Sequence, residues 1–148
     1  MPDPILAIDD LTVEFNTEDG VVHAVTGVSY DLYPGEVLGI VGESGSGKSV
    51  SMLSVLGLIP TPPGRIVQGT ATFKGEDLLT MKKSKLRDLR GGQMAMIFQD
   101  PMTSLNPVLT IGAQISEAIQ VHQPGTNDKA AMERTIELLR LVGVPFAE

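Results

Sequence analysis

GESGSGKS, Gly42 to Ser49, satisfies G-x-x-x-x-G-K-[ST], the spacing of a phosphate-binding loop. Its flanks agree. Val37-Leu38-Gly39-Ile40-Val41 is a short, mostly branched apolar run, the pattern of a buried parallel strand. Val50 to Leu58 (VSMLSVLGL) follows the loop and can continue as a helix. Strand, glycine loop and helix in this order are what give the spacing meaning. The competing reading is a glycine-rich turn before a helix. Against it, lysine and serine both stand where phosphate chemistry needs them.

Each residue type has a physical reason. Gly42, Gly45 and Gly47 permit backbone angles and close approach that a side chain would block. The turning backbone through Glu43, Ser44 and Ser46 then aims its N–H groups inward, forming a nest for an anion. The N-terminus of the following helix adds unpaired N–H groups and a positive dipole end. Lys48 is expected to reach the β- and γ-phosphates of a nucleotide, and Ser49 to ligate Mg²⁺.

Composition narrows the classes. A chain of 148 residues is about one domain, and 42% hydrophobic residues suffice for a core. The net charge of -7 argues against nucleic acid, which needs a basic face. No apolar run approaches the ~20 residues of a membrane span. The opening MPDPILAIDD is acidic and lacks the basic-then-apolar pattern of a signal peptide. Zero cysteines exclude disulfides and thiolate metal sites. A soluble, cytosol-facing protein is the plain expectation. His23 and His122 are isolated, so a histidine metal site is not expected.

Along the chain, Ile5 to Phe15 (ILAIDDLTVEF) alternates and is β-rich. NTEDG, Asn16 to Gly20, is a turn signal, and Val21 to Leu32 reads as another strand with a break near Gly27. Pro34-Gly35 is a second turn. PTPPG, Pro60 to Gly64, is a loop no helix could cross. Arg65 to Lys74 reads as a hairpin or strand pair. Lys82 to Arg90 reads as a short solvated helix, and Met94 to Phe98 (MAMIF) as a second short apolar strand. Thr110 to Val121 and Asn127 to Val142 have helical spacing. In the latter, Met132, Ile136, Leu139 and Val142 can share a face, with Asn127 or Asp128 as the cap.

The stretches VVHAVTGVSYDLYPGEVLGIVGESGSGKS and MAMIFQDPMTSLNPVLTIGAQISEAI resemble the nucleotide-binding subunit of ATP-binding-cassette (ABC) transporters. The likeness is to the peptide-importer branch, which handles dipeptides, oligopeptides and nickel. It runs from about Ile5 to the C-terminus. The phosphate loop is generic to many nucleotide-binding families, whereas FQDPMTSLNP, Phe98 to Pro107, points to that branch.

This resemblance implies an α/β fold. A P-loop NTPase core would occupy residues 37–59 and 94–101, an antiparallel β subdomain 5–36 and 65–80, and the start of a helical subdomain 102–148. It implies that Gln99 is the Q-loop glutamine, contacting Mg²⁺ and the attacking water. An amide that can both donate and accept suits that place. Phe15 falls where the family stacks an aromatic ring on adenine; packing in the core is the alternative for that residue. Met102 to Pro107 would lie near the surface that meets the membrane permease; a rigid proline-bounded loop is the alternative there.

Three lookalikes are set aside. Leu89-Arg90-Gly91-Gly92-Gln93 imitates the family signature LSGGQ but lacks its serine and precedes Gln99, so it reads as a turn. Leu6-Ala7-Ile8-Asp9-Asp10 imitates a Walker B strand but lies before the phosphate loop. Asp88-Leu89-Arg90-Gly91 matches the GTPase D-x-x-G, yet Lys85 and Arg87 precede it and no N-K-x-D guanine motif exists.

In the family the true signature, the Walker B aspartate, the catalytic glutamate and the switch histidine come later than the matched stretch, and none occurs in these residues. The chain therefore reads as the N-terminal part of an ATPase subunit, able to bind phosphate but lacking the hydrolytic trigger. Its two core strands would lack neighbours, so the isolated chain is expected to be unstable or to pair its strands differently. The whole would be an ATP- and Mg²⁺-using ATPase on the cytoplasmic face of the inner membrane. Its partners would be transmembrane permease subunits, a second ATPase subunit and, indirectly, a substrate-binding protein. A naturally short, non-catalytic nucleotide-binding module is the alternative. A stand-alone P-loop kinase or GTPase fits less well.

Overall fold

The computed structural model describes residues 3–100 and 104–147. Two compact units divide the chain, at Arg90 and Gly91.

The first unit is built on an antiparallel sheet of order β2-β1-β3-β4. Strand β1 spans Leu6–Thr17, β2 Gly20–Leu32, β3 Gly64–Phe73 and β4 Glu76–Asp77. In β1 the inward residues are Leu6, Ile8, Leu11 and Val13, all buried. A strict period of two would have turned Asp10 inward after Ile8. Instead the register shifts between Ile8 and Leu11, where Asp9 and Asp10 form a bulge. The extra residue flips the phase, sends Leu11 into the core and leaves Asp10 at the surface. Asp10 has φ +50°, and its backbone N–H donates to Ser29 Oγ at 2.8 Å while a carboxylate oxygen accepts from Gln68. Gly69 faces this bulge so closely that a Cβ there would stand 2.6 Å from the carbonyl oxygens of Asp9 and Asp10.

The expected break near Gly27 is a second bulge: Leu11 pairs with Val28 and Val13 with Val25, so Thr26 and Gly27 oppose Thr12 alone. Arg65 to Lys74 is one strand, not a strand pair. It pairs with β1 along its length, and its hairpin partner is the short β4 beyond the Lys74-Gly75 turn. Helix α1, Lys48–Val55, lays Ser51, Ser54, Val55 and Leu56 in the core of this unit. Helix α2, Lys83–Leu89, is solvated as expected except for Leu86, which is buried.

Val37–Val41 corrects the sequence expectation. The run takes no regular secondary structure and joins no ladder among the described residues, and Val37 and Val41 are about 95% and 94% exposed. An apolar pattern sets a preference for burial, but a buried strand also needs neighbours, and β1 to β4 pair only with one another. Met94–Phe98 likewise forms no strand; Ile97 is 97% exposed.

In the second unit Gly91, Gly92 and Gln93 form a turn, as expected for the signature lookalike. Helix α3, Ile111–His122, begins at Thr110, whose hydroxyl accepts from the Ala113 N–H at 3.2 Å. Helix α4, Asp128–Leu141, begins at Asn127, whose side chain accepts from the Ala130 N–H at 2.9 Å. The two helices meet through small and polar residues. Ser116 Oγ lies 3.0 Å from Thr135 Oγ1, which in turn donates to the Ala131 carbonyl at 2.8 Å. The fully buried positions of α4 are Ala131 and Thr135; of the expected stripe Ile136 and Leu139 are half-buried, while Met132 and Val142 are exposed. Large apolar residues mark what can be buried, while close helix approach selects small ones. Among the described residues no helix is long and apolar enough to cross a membrane.

Candidate nucleotide-binding site

The loop Gly42–Ser49 enters α1 through Gly47, which caps the helix at φ +87° with no side-chain hydrogen bond. Two independent constraints require glycine there. That φ lies in the left-handed region, and a Cβ would overlap the carbonyl oxygen of Ala24 on β2 and approach Val25 Cγ2 to 3.2 Å. The phosphate loop is thus seated directly on β2. At Gly42 a Cβ would stand 2.7 Å from Ser46 Oγ and 3.7 Å from Lys48 Nζ, space that the loop keeps open. A turn closed by the Ser46 N–H on the Glu43 carbonyl, at 3.2 Å, sets the curvature.

Lys48 folds back over this curve. Its ammonium donates to the carbonyl oxygens of Gly42 and Glu43, both at 2.7 Å, and to Ser46 Oγ at 3.2 Å. A full positive charge is therefore held at the mouth of the loop, beside the positive end of the α1 dipole. No acidic residue occupies the first turn of α1 to neutralise that end. Ser49 is exposed on the first turn, and its hydroxyl has no hydrogen-bond partner among the described residues. Ser44 and Glu43 are also exposed, while Gly45 takes φ +82° in open space. The helix is stitched below the site by Ser51 Oγ, donating to the Lys48 carbonyl, and Ser54 Oγ, donating to the Val50 carbonyl, both at 2.7 Å.

Behind the loop lies a cavity of about 530 Å³ between β2 and the run 38–42, lined in part by Val25, Tyr30, Leu38, Ile40 and Lys48. Burial raises the pKa of the Tyr30 hydroxyl, which stays a donor and points at Met52 Sδ, 3.8 Å away.

Phe15 does not line this cavity. It sits on β1 opposite Val22 and Gly64, with its ring against the Gly64 backbone, where a Cβ would stand 2.9 Å from Phe15 Cε1. Gln99 belongs to the second unit and is exposed in a bend. Of the 102–107 stretch, Met102 and Thr103 lie outside the described residues, as does Pro101. The remainder is a braced loop: Gln114 Nε2 donates to the carbonyls of Asn106 and Leu109, at 3.0 and 3.1 Å, and its Oε1 accepts from the Asn106 N–H at 2.8 Å. Sequence reading missed the seat on β2 at Ala24 and the guanidinium of Arg90 at the far end of α1. Neither leaves a motif, because both are contacts between segments distant in sequence.

A phosphate loop on a helix N-terminus fits many families, and comparison with known proteins decides among them. The family model described as "ABC transporter" matches residues 25–146. The chain belongs to the ABC transporter family. It is 51% identical over 144 residues to the dipeptide transport ATP-binding protein DppD of Haemophilus influenzae, a match spanning 97% of this chain and 43% of that protein. It is 46% identical to the oligopeptide transport ATP-binding protein OppD of Bacillus subtilis, spanning 97% of this chain and 40% of that one. The chain thus spans less than half the length of these curated relatives. Among solved structures, the dimeric bacterial ABC transporter cassette MJ0796 superposes with a TM-score of 0.78 at 20% identity, over 92% of this chain and 56% of that one. CbiO1 of Clostridium perfringens, part of an ABC transporter complex, superposes with a TM-score of 0.65 at 25% identity, over 97% and 52%. The fold is that of an ABC ATPase cassette, present in part: an antiparallel sheet, the phosphate loop and two paired helices.

Proposed function

We propose that this ABC transporter chain supplies the nucleotide-binding half-site of an ATPase subunit that drives uptake of short peptides. The observation that carries the reading is the Lys48 ammonium held over the Gly42–Ser46 curve at the N-terminus of α1. The relatives named for dipeptide and oligopeptide transport support the substrate class.

The residues fit the groups they would hold. The glycines leave the loop open to a triphosphate, whose oxygens would take N–H donors from the loop and from the first turn of α1. Lys48 would exchange its hold on the loop carbonyls for the β- and γ-phosphates. The free Ser49 hydroxyl is a hard oxygen donor of the kind Mg²⁺ accepts beside phosphate and water. When bound, Mg²⁺ would neutralise charge on the phosphates. Gln99 would add an amide oxygen to that ion and orient water, and Phe15 would stack on the base. The β subdomain would comprise 5–36 and 65–80, the core 37–59 and 94–101, and the helical part 102–148. The partners would be permease subunits and a second ATPase subunit at the cytoplasmic face of the inner membrane. By themselves these residues would bind ATP without turning it over, because no Walker B aspartate or catalytic glutamate is among them.

Uptake tests the reading. Source cells carrying Lys48→Ala in this gene are expected to lose most of their ATP-dependent uptake of a labelled dipeptide or oligopeptide series, with amino-acid uptake unchanged. Wild-type uptake of every peptide in the series, in cells with no second gene of this kind, would remove the transport assignment.

A further inference from the structure

Helix α1 has a cation at its C-terminus that its own last turn does not provide. Arg90 supplies it from a distant part of the sequence. Its Nε donates to the Leu56 carbonyl at 2.7 Å and its Nη2 to the Gly57 carbonyl at 3.0 Å. Helix ends leave carbonyls without partners, and a guanidinium offers a rigid fork that suits two at once. Its charge also complements the negative end of the dipole. The rest of the cap is backbone: the Gly57 N–H donates to Ser54 at 2.9 Å and the Leu58 N–H to Leu53 at 2.7 Å.

The approach is close. Gly57 has φ +61°, and a Cβ there would stand 2.7 Å from Leu86 Cδ2 and 3.0 Å from Arg90 Nη2. Leu86 and Arg90 arrive together, since the Arg90 N–H closes the end of α2 on the Leu86 carbonyl at 3.2 Å. Helix α2 thus presents one buried apolar side chain and one guanidinium to the end of α1.

We propose that Arg90 is a positioning residue for the phosphate loop. Clamping the C-terminal end of α1 fixes the tilt and depth of its N-terminal end, where Gly47, Lys48 and Ser49 would meet the triphosphate. The inference rests on the nucleotide reading above. Helix α1 has eight residues, a rod of roughly 12 Å, so displacement at one end reaches the other. Its N-terminal end has no side-chain cap and rests on β2 through Gly47, so the Arg90 clamp and that seat together set the helix position. Placement errors of about 1 Å are enough to degrade a site built on aligned donors.

The test uses Arg90→Gln and Arg90→Lys in the protein as its gene encodes it, with Lys48→Ala alongside. Amide exchange in α1 is read without nucleotide, and ATP affinity by equilibrium titration. Arg90→Gln is expected to speed exchange of the Leu53 to Leu56 amides about tenfold, as loss of a charged hydrogen bond does. It is expected to weaken ATP binding roughly five- to tenfold, and Arg90→Lys to recover part of both. If the Gln variant does not fold, the Lys variant carries the comparison, with a smaller loss expected in both readouts. Unchanged α1 exchange overturns the clamp before any nucleotide is added. A lower melting temperature with wild-type ATP affinity shows a structural role only and also overturns it. If Lys48→Ala binds ATP normally, the nucleotide reading falls and takes the proposal with it. If Lys48→Ala loses binding while Arg90→Gln does not, only the Arg90 role falls.

Discussion

Lys48→Ala is expected to weaken ATP binding by roughly 30- to 150-fold. The ammonium is a full positive charge held over the loop, and hydrogen bonds to charged groups are each worth about 1.5–3 kcal/mol. A loss of about 2–3 kcal/mol converts to that range. The variant also frees the carbonyls of Gly42 and Glu43, which Lys48 holds at 2.7 Å. Part of the loss is therefore disorder in the loop, and exchange of the Ser44–Gly47 amides should rise with it. Lys48→Arg is not expected to rescue. A planar fork cannot fold into the pocket that a compact ammonium fills between three oxygens. Titration of wild type and variant with ATP reads the ratio, and affinities within twofold of each other would refute the assigned role.

Gly47→Ala is expected to cost about 2–5 kcal/mol and to abolish measurable ATP binding. About 1–2 kcal/mol comes from forcing a side chain into the left-handed region, and about 1–3 from overpacking. The overpacking arises because the new Cβ would overlap the Ala24 carbonyl, a backbone atom of β2 flanked by the paired residues His23 and Val25. Gly45→Ala is the control. It shares the backbone penalty at φ +82° but has nothing within 4 Å of its Cβ, so only about 1–2 kcal/mol is expected. Denaturant unfolding of both variants separates the two terms. Equal effects would mean that the loop is not seated on β2 as described.

How much of this was legible follows from the range of each interaction. The phosphate loop is local: eight consecutive residues carry the glycines, the lysine and the hydroxyl, and the helix expected over Val50 to Leu58 is present with its bounds moved to Lys48–Val55. The cap expected at Asn127 or Asp128 is equally local and falls on Asn127; Thr110, read as the first residue of its helix, proves to be the cap, each side chain bonding three residues ahead. Strand phase was only half legible. Alternation in β1 is broken by the Asp9-Asp10 bulge, which packs against Gly69 on β3, far along the sequence. Val37–Val41 has a strand's composition without a strand's ladder, because pairing depends on partners and not on the segment itself. The inward face of α4 was only partly legible: hydrophobic spacing found the half-buried Ile136 and Leu139, but not the fully buried Ala131 and Thr135, which are small. Arg90 looked like part of a signature lookalike, and only its reach to α1 gives it a role.

The most direct measurement is affinity labelling with an acyl-phosphate derivative of ATP. Such a reagent transfers its acyl group to an amine lying against the terminal phosphate. Peptide mapping after labelling is expected to find the acyl group on Lys48, and excess unmodified ATP is expected to suppress it. Labelling of other lysines with Lys48 untouched, or labelling of Lys48 that ATP does not suppress, would contradict the placement of the triphosphate on the Gly42–Ser49 loop.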